Sequence, residues 1–173
     1  ITGVGVTQYV AVRNHNVRYQ TISQVTDGEE SGRTGILTSH FRYTNFRLLW
    51  KIGFVSREGG LTYGITLTTP SVDITGNGDY YFNFSSIGTS TDPVLVSGLH
   101  EDVTAFYRSP FSLAAGAAYR FGDTDLYFST EYYNKVDEFT VMKVNRPEIE
   151  TIDLEIDYRL NHDLESVINL GFG

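Results

Sequence analysis

Eight ionisable residues stand where they could do chemistry: Arg47, Lys51, Arg120, Glu131, Asp153, Glu155, Asp157 and Arg159. They fall on the polar side of segments whose other side is apolar. Guanidinium, ammonium and carboxylate groups sharing a face can set pore selectivity or hold a charged headgroup. The plainer reading is that opposite charges pair and keep that face wet. Asp153, Glu155 and Asp157 are the tightest set, three acids at every-second spacing. Such a ladder offers oxygen ligands to a cation, but it serves equally as a solvated face.

Other reactive patterns are weak. His15, His40, His100 and His162 share no metal-ligand spacing and read as residues of loops or outer strand ends. No nucleophile elbow and no local Ser-His-Asp arrangement is present. Gly3-Val4-Gly5 and Gly76-Asn77-Gly78 lack the rest of a dinucleotide fingerprint. The chain is therefore expected to bind and guide rather than catalyse, without a metal or cofactor.

Composition narrows the class. The 173 residues carry 13 Lys and Arg against 21 Asp and Glu, a net charge of −8. That balance argues against a nucleic-acid partner, which needs a basic face. With 40% hydrophobic and 14% aromatic residues, the chain is too apolar to stay disordered. It has no Cys, hence no disulfide framework and no thiolate site. No charged-then-apolar leader opens at Ile1, and no run of 18 apolar residues occurs. The closing Val167-Ile168-Asn169-Leu170-Gly171-Phe172-Gly173 reads as a strand in progress. The chain is expected to be one β-barrel segment over 1–173, an excerpt of a longer protein.

The elements that must position these residues follow a period of two. Phe46, Leu48, Trp50, Ile52 and Phe54 alternate with Arg47, Leu49, Lys51, Gly53 and Val55. Comparable alternation runs over Leu61–Leu67, Leu113–Phe121 and Ile152–Leu160. Seven antiparallel strands are expected, near 3–25, 36–56, 61–86, 102–121, 126–144, 150–160 and 165–173. Turns are expected at 57–60, 122–125 and 161–163, with longer connections near 26–35, 87–101 and 145–149. Four-residue turns would pair Phe54 with Tyr63 and Tyr119 with Phe128. A three-residue turn at 161–163 would pair Leu160 with Leu164.

Alternation also suits a soluble sandwich. Three features favour a transmembrane barrel instead. Short and long connections alternate, several strands exceed the 9–11 residues a bilayer needs, and the polar faces mix Gly, Ala, Ser and Thr with charges. On this reading Phe46, Trp50, Phe54, Leu67, Tyr119 and Phe121 face lipid, with aromatics near the short turns as an interface girdle. An odd strand count with open edges implies that strands outside the chain complete the wall.

Tyr43-Thr44-Asn45-Phe46-Arg47-Leu48-Leu49-Trp50-Lys51-Ile52-Gly53 resembles a strand of the FadL-type outer-membrane transporters of hydrophobic compounds, in particular Bacteroidetes-like members. So do Tyr107–Gly122 and Ser166–Gly173. The resemblance implies a 14-strand barrel with a plug, passing molecules such as long-chain fatty acids through the bacterial outer membrane. This chain would supply about half that wall and no plug. The resemblance also implies a strand kink for lateral exit, for which Pro110 is the candidate. The partners would be membrane lipids and a hydrophobic small-molecule cargo. A structural or adhesive barrel without transport, and a soluble β-sandwich binding module, are the alternatives.

Overall fold

The computed structural model describes residues 2–27, 31–88, 92–144 and 158–173. These residues form strands and no helix, and the main sheet curls into an antiparallel half-barrel. The strands are β1 Thr2–Asp27, β2 Ser31–Glu58, β3 Leu61–Thr68, β4 Val72–Gly88, β5 Val94–Thr104, β6 Ser112–Phe121, β7 Thr124–Tyr133, β8 Val136–Lys143, β9 Arg159–Leu164 and β10 Val167–Phe172.

The strands join end to end into long spans. β1 lies along β2 from Thr2↔Ser56 to Asp27↔Ser31. The other side of β2 is shared, Lys51–Glu58 pairing with β3 and Arg33–Leu48 with β4. β3 and β4 are thus two stretches of one span, interrupted at 69–71. β5 and β6 succeed one another in the same way beside β4 and β3. β7 pairs with β6, and β8 meets the end of β5 at Ala105↔Met142. β9 then pairs with β8, and β10 with β7. Among the described residues this makes six long spans instead of seven.

Several expectations are corrected. Residues 161–163 are not a turn: they lie within β9, where Asn161 pairs with Thr140 and His162 with Phe139. Side chains fix that pairing, because Asn161 donates to Glu138 Oε1 at 2.8 Å and Thr140 donates to Asn161 Oδ1 at 3.0 Å. Leu160 accordingly faces Met142, not Leu164. The other two turns are tighter than expected. Glu58 pairs with Leu61 and Phe121 with Thr124, leaving two-residue loops. Gly59 and Gly122 hold φ of 59° and 60° at the first loop position, the pattern of a type II′ hairpin turn. Phe54 therefore faces Ile65, and Tyr119 faces Leu126. A shift of two residues leaves every side chain on its expected face.

The connections expected at 26–35 and 87–101 are also mostly strand, since β2 starts at Ser31, β4 runs to Gly88 and β5 starts at Val94. Polar sequence there marks strands wet on one face rather than loops. The connection at 145–149 lies outside the described residues. Spans 102–121 and 126–144 are each interrupted, at 105–111 and at 134–135.

Register brings the two faces into view. One row across the sheet runs Val6–Ile52–Leu67–Leu113–Tyr132–Ile168. The row on the opposite face runs Gly5–Gly53–Thr66–Ala114–Glu131–Asn169. Near the two-residue turns, most large apolar side chains thus point out of the curl, and the inner face is mainly small or polar, with Val55 and Tyr127 as its large members. Phe121 is 72% exposed and Phe172 79%.

Beyond Phe46 the polarity reverses. On β2 the inward Ser39, Phe41, Tyr43 and Asn45 are buried, while outward His40, Arg42 and Thr44 are polar. Phe41 and Tyr43 join Tyr80, Phe82, Tyr107, Phe139, Tyr158 and Leu160 in one apolar core inside the curl. Tyr158 crosses the interior to meet Tyr80 and Phe82 edge-on, at 5.9 and 6.3 Å between ring centres. Edge-to-face contacts of this kind are worth about 0.5–1.5 kcal/mol each beyond area burial.

Candidate functional site at the polarity reversal

Five strands and one linker converge where the inner face changes from aromatic to small and polar. β1 supplies Arg13, and β2 supplies Tyr43, Asn45 and Arg47. β4 supplies Asp73, β8 supplies Phe139, and β9 supplies His162. Tyr107 and Ser109 come from the linker 105–111, which leaves the sheet between β5 and β6.

The Tyr107 ring is the hub. The Arg13 guanidinium carbon lies 4.2 Å from its centre, and that of Arg47 lies 4.9 Å away. The Tyr107 hydroxyl is 3.2 Å from His162 Nε2, and the two rings lie 5.5 Å apart. Phe139 packs edge-on at 5.8 Å. The linker is tied by its main chain: Tyr107 N–H donates to Asp73 Oδ1 at 3.3 Å, and Ser109 N–H donates to Ser71 Oγ at 2.8 Å.

The surrounding polar groups are only partly satisfied. Arg13 Nε donates to the Tyr43 hydroxyl at 3.0 Å, and Arg47 Nε donates to Ser109 Oγ at 2.8 Å. Asn45 Nδ2 donates to Asp73 Oδ1 at 2.9 Å. Asn45 Oδ1 and Arg47 Nη1 are buried without a partner among the described residues. Burial raises the Tyr43 hydroxyl above its ordinary pKa, against the opposing pull of Arg13. Burial, with Arg13 and His162 assisting, lowers His15 below 6.5.

Two further features share the inner face. A cavity of about 480 Å³ lies among Tyr19, Leu37, Phe41, Phe84 and Leu160, with Ser23, Ser39, Arg159 and Asn161 also on its walls. Its size falls within the range of small-molecule sites. A trough of about 510 Å³ is lined in part by Gly64, Gly116, Ser129 and Gly171 near the two-residue turns.

The charged residues read from the sequence do not form one site. Arg47 belongs to the Tyr107 hub. Lys51 lies two inner-face positions turn-ward of Arg47, 5.7 Å from the Tyr9 ring centre. Glu131 accepts from Ser112 Oγ at 3.1 Å. Arg120 clasps Asp125 through two hydrogen bonds, at 2.8 and 3.0 Å. Arg159 sits at the 480 Å³ cavity. Asp153, Glu155 and Asp157 lie outside the described residues. Phe46, Trp50, Phe54, Leu67, Tyr119 and Phe121 share the outward face.

Pro110 is not inside a strand. It lies in the linker 105–111, which departs from the sheet to hold Tyr107 and Ser109. A residue without an N–H costs nothing where no ladder bond is made. Arg13, Asn45, Asp73, Tyr107 and His162 were not foreseen. No local motif joins them, since each comes from a different span or linker.

The fold is thus an all-β, curled antiparallel half-barrel. No family model, curated protein or solved structure matches the chain.

Proposed function

We propose that the chain is part of the wall of a bacterial outer-membrane β-barrel that passes hydrophobic small molecules, such as long-chain fatty acids, passively. The observation behind this reading is the outward apolar band across six strands, opposed on the inner face by Gly, Ala, Ser and Thr. A soluble protein turns its large side chains into a core, whereas a membrane wall turns them to lipid. Further strands would pair the edges of β1 and β10, which have one neighbour each among the described residues. Cargo would rest in the 480 Å³ cavity and pass the Tyr107 hub on its way to the small-residue wall.

A second reading is a structural or adhesive barrel without transport. The aromatic core that fills the curl around Tyr80 and Tyr158 favours it, because a filled interior anchors without conducting.

Trp50 is the only Trp of the chain and lies on the outward face, so it tests the membrane reading directly. With the parent barrel refolded in brominated-lipid vesicles and Trp50 as its sole Trp, its fluorescence should be strongly quenched. An unquenched Trp50 in folded protein would restore the soluble sandwich. Uptake of labelled fatty acid by cells carrying the parent protein separates transport from anchoring. Uptake no greater than in cells lacking it would leave the anchor.

A further inference from the structure

Immediately above the outward apolar band, the outer wall changes character within two rows. The continuous apolar band ends at the row of Val12 and Phe46; farther up the same face large apolar side chains return only in scattered positions, among them Tyr81, Leu99, Ile22 and Leu95. The next row is Asn14–Thr44–Asn77–Thr104, hydrogen-bonding and uncharged, across β1, β2, β4 and β5. The row above it holds Arg42 and Asp79, joined at 2.7 Å. Asn14, Arg42, Thr44, Asn77 and Asp79 line an outer recess of about 290 Å³ together with Tyr43 and Gly78. No side chain can stand at Gly78, where an added Cβ would come within 2.2 Å of the Arg42 carbonyl oxygen.

We propose that this recess holds the sugar headgroup of a membrane glycolipid whose acyl chains lie on the Val12–Phe46–Leu48 surface below. The proposal rests on the membrane reading above. Three things specify the ligand. The recess sits at the edge of the apolar band, where a lipid headgroup must lie if its chains cover that band. The side chains of Asn14, Thr44 and Asn77 have no hydrogen-bond partner among the described residues. Amides and hydroxyls both donate and accept, as neighbouring sugar hydroxyls do. Arg42 and Asp79 cancel in charge, which favours a neutral sugar over a phosphate. The recess is small beside the usual range of about 300–1,000 Å³, which suits one ring rather than an extended ligand.

Trp50 lies on the same outward face of β2 as Thr44 and reads the lipid beneath the recess. The parent barrel, with Trp50 as its sole Trp, is refolded in vesicles of brominated phosphatidylcholine, which is then replaced stepwise by unbrominated digalactosyl diacylglycerol. The expected result is loss of quenching at least threefold steeper than dilution predicts, returning to simple dilution in Asn77→Leu and in Asn14→Leu. Simple dilution in the wild type overturns the proposal, while strong initial quenching leaves the membrane reading standing. No quenching at the outset overturns both. Quenching is expected to return on adding methyl galactoside in excess, because the free sugar competes for the recess; no return would assign the preference to the acyl chains and overturn the headgroup site. Unaltered preference in both variants, with initial quenching intact, places the glycolipid elsewhere and also overturns it.

Discussion

Arg13 and Tyr107 stand far apart in sequence, yet the Arg13 guanidinium carbon lies 4.2 Å from the centre of the Tyr107 ring. With Arg47 at 4.9 Å from the same ring, one aromatic side chain holds two strands and a linker together.

Tyr107→Leu removes both cation–π contacts, each worth about 0.5–2 kcal/mol, and should lower unfolding free energy by about 1–3 kcal/mol. Tyr107→Phe keeps the ring and loses only the hydroxyl contact to His162, costing about 1 kcal/mol or less. Urea unfolding of the refolded protein compares them. Equal losses would show that the hydroxyl, not the ring, holds the hub.

Ile65 and Thr66 are neighbours on opposite faces. In vesicles, Ile65→Arg should cost about 2–4 kcal/mol of folding free energy if it meets the bilayer interior. Thr66→Arg, turned inward, should cost markedly less. Reversible folding titrations into lipid measure both, and the opposite order would mean that the faces are inverted.

The two-residue turns make glycine indispensable at their first position. Gly122, with φ of 60°, should lose about 1–2 kcal/mol on replacement by Val, the cost of the left-handed region for an L side chain. Gly5 has no heavy atom within 4 Å of an added Cβ. Gly5→Ala should therefore be neutral or stabilising, since Ala loses less backbone freedom. Parallel urea curves decide between them.

Burial beside Arg13 gives His15 a pH dependence. Its folded pKa lies below the unfolded 6.5, from burial first and then Arg13. Protonation therefore favours the unfolded chain, and stability falls as pH drops through 6.5 towards the folded value. His15→Gln should flatten this decline between pH 7 and 5. An NMR titration placing His15 at or above 6.5 would contradict the assignment.

The faces were legible in the sequence because parity survives errors of two residues. The expected loops at 57–60 and 122–125 are each two residues longer than the observed ones, yet Phe54, Tyr119 and Phe121 still land outward. Their length was hidden because Arg57, Glu58 and Thr124 pair at the loop margins, whereas Gly59 and Gly122 alone turn the chain. Asn161-His162-Asp163 misled because its residues favour turns, while cross-strand bonds to Glu138 and Thr140 hold it extended. The hub was illegible for another reason. Only the curl brings Arg13, Tyr107 and His162 together, and no local spacing encodes a curl.

The polarity reversal along β2 gives that strand its own depth mark. A slip of one residue would expose Phe41 and Tyr43 to water and turn Phe46 and Trp50 inward, so two environments would reject it at once. A slip of two keeps the faces but slides the mark, carrying Thr44 into the apolar band or Phe46 above it. Most strands encode which way they face; β2 also encodes where along its length the two faces exchange character.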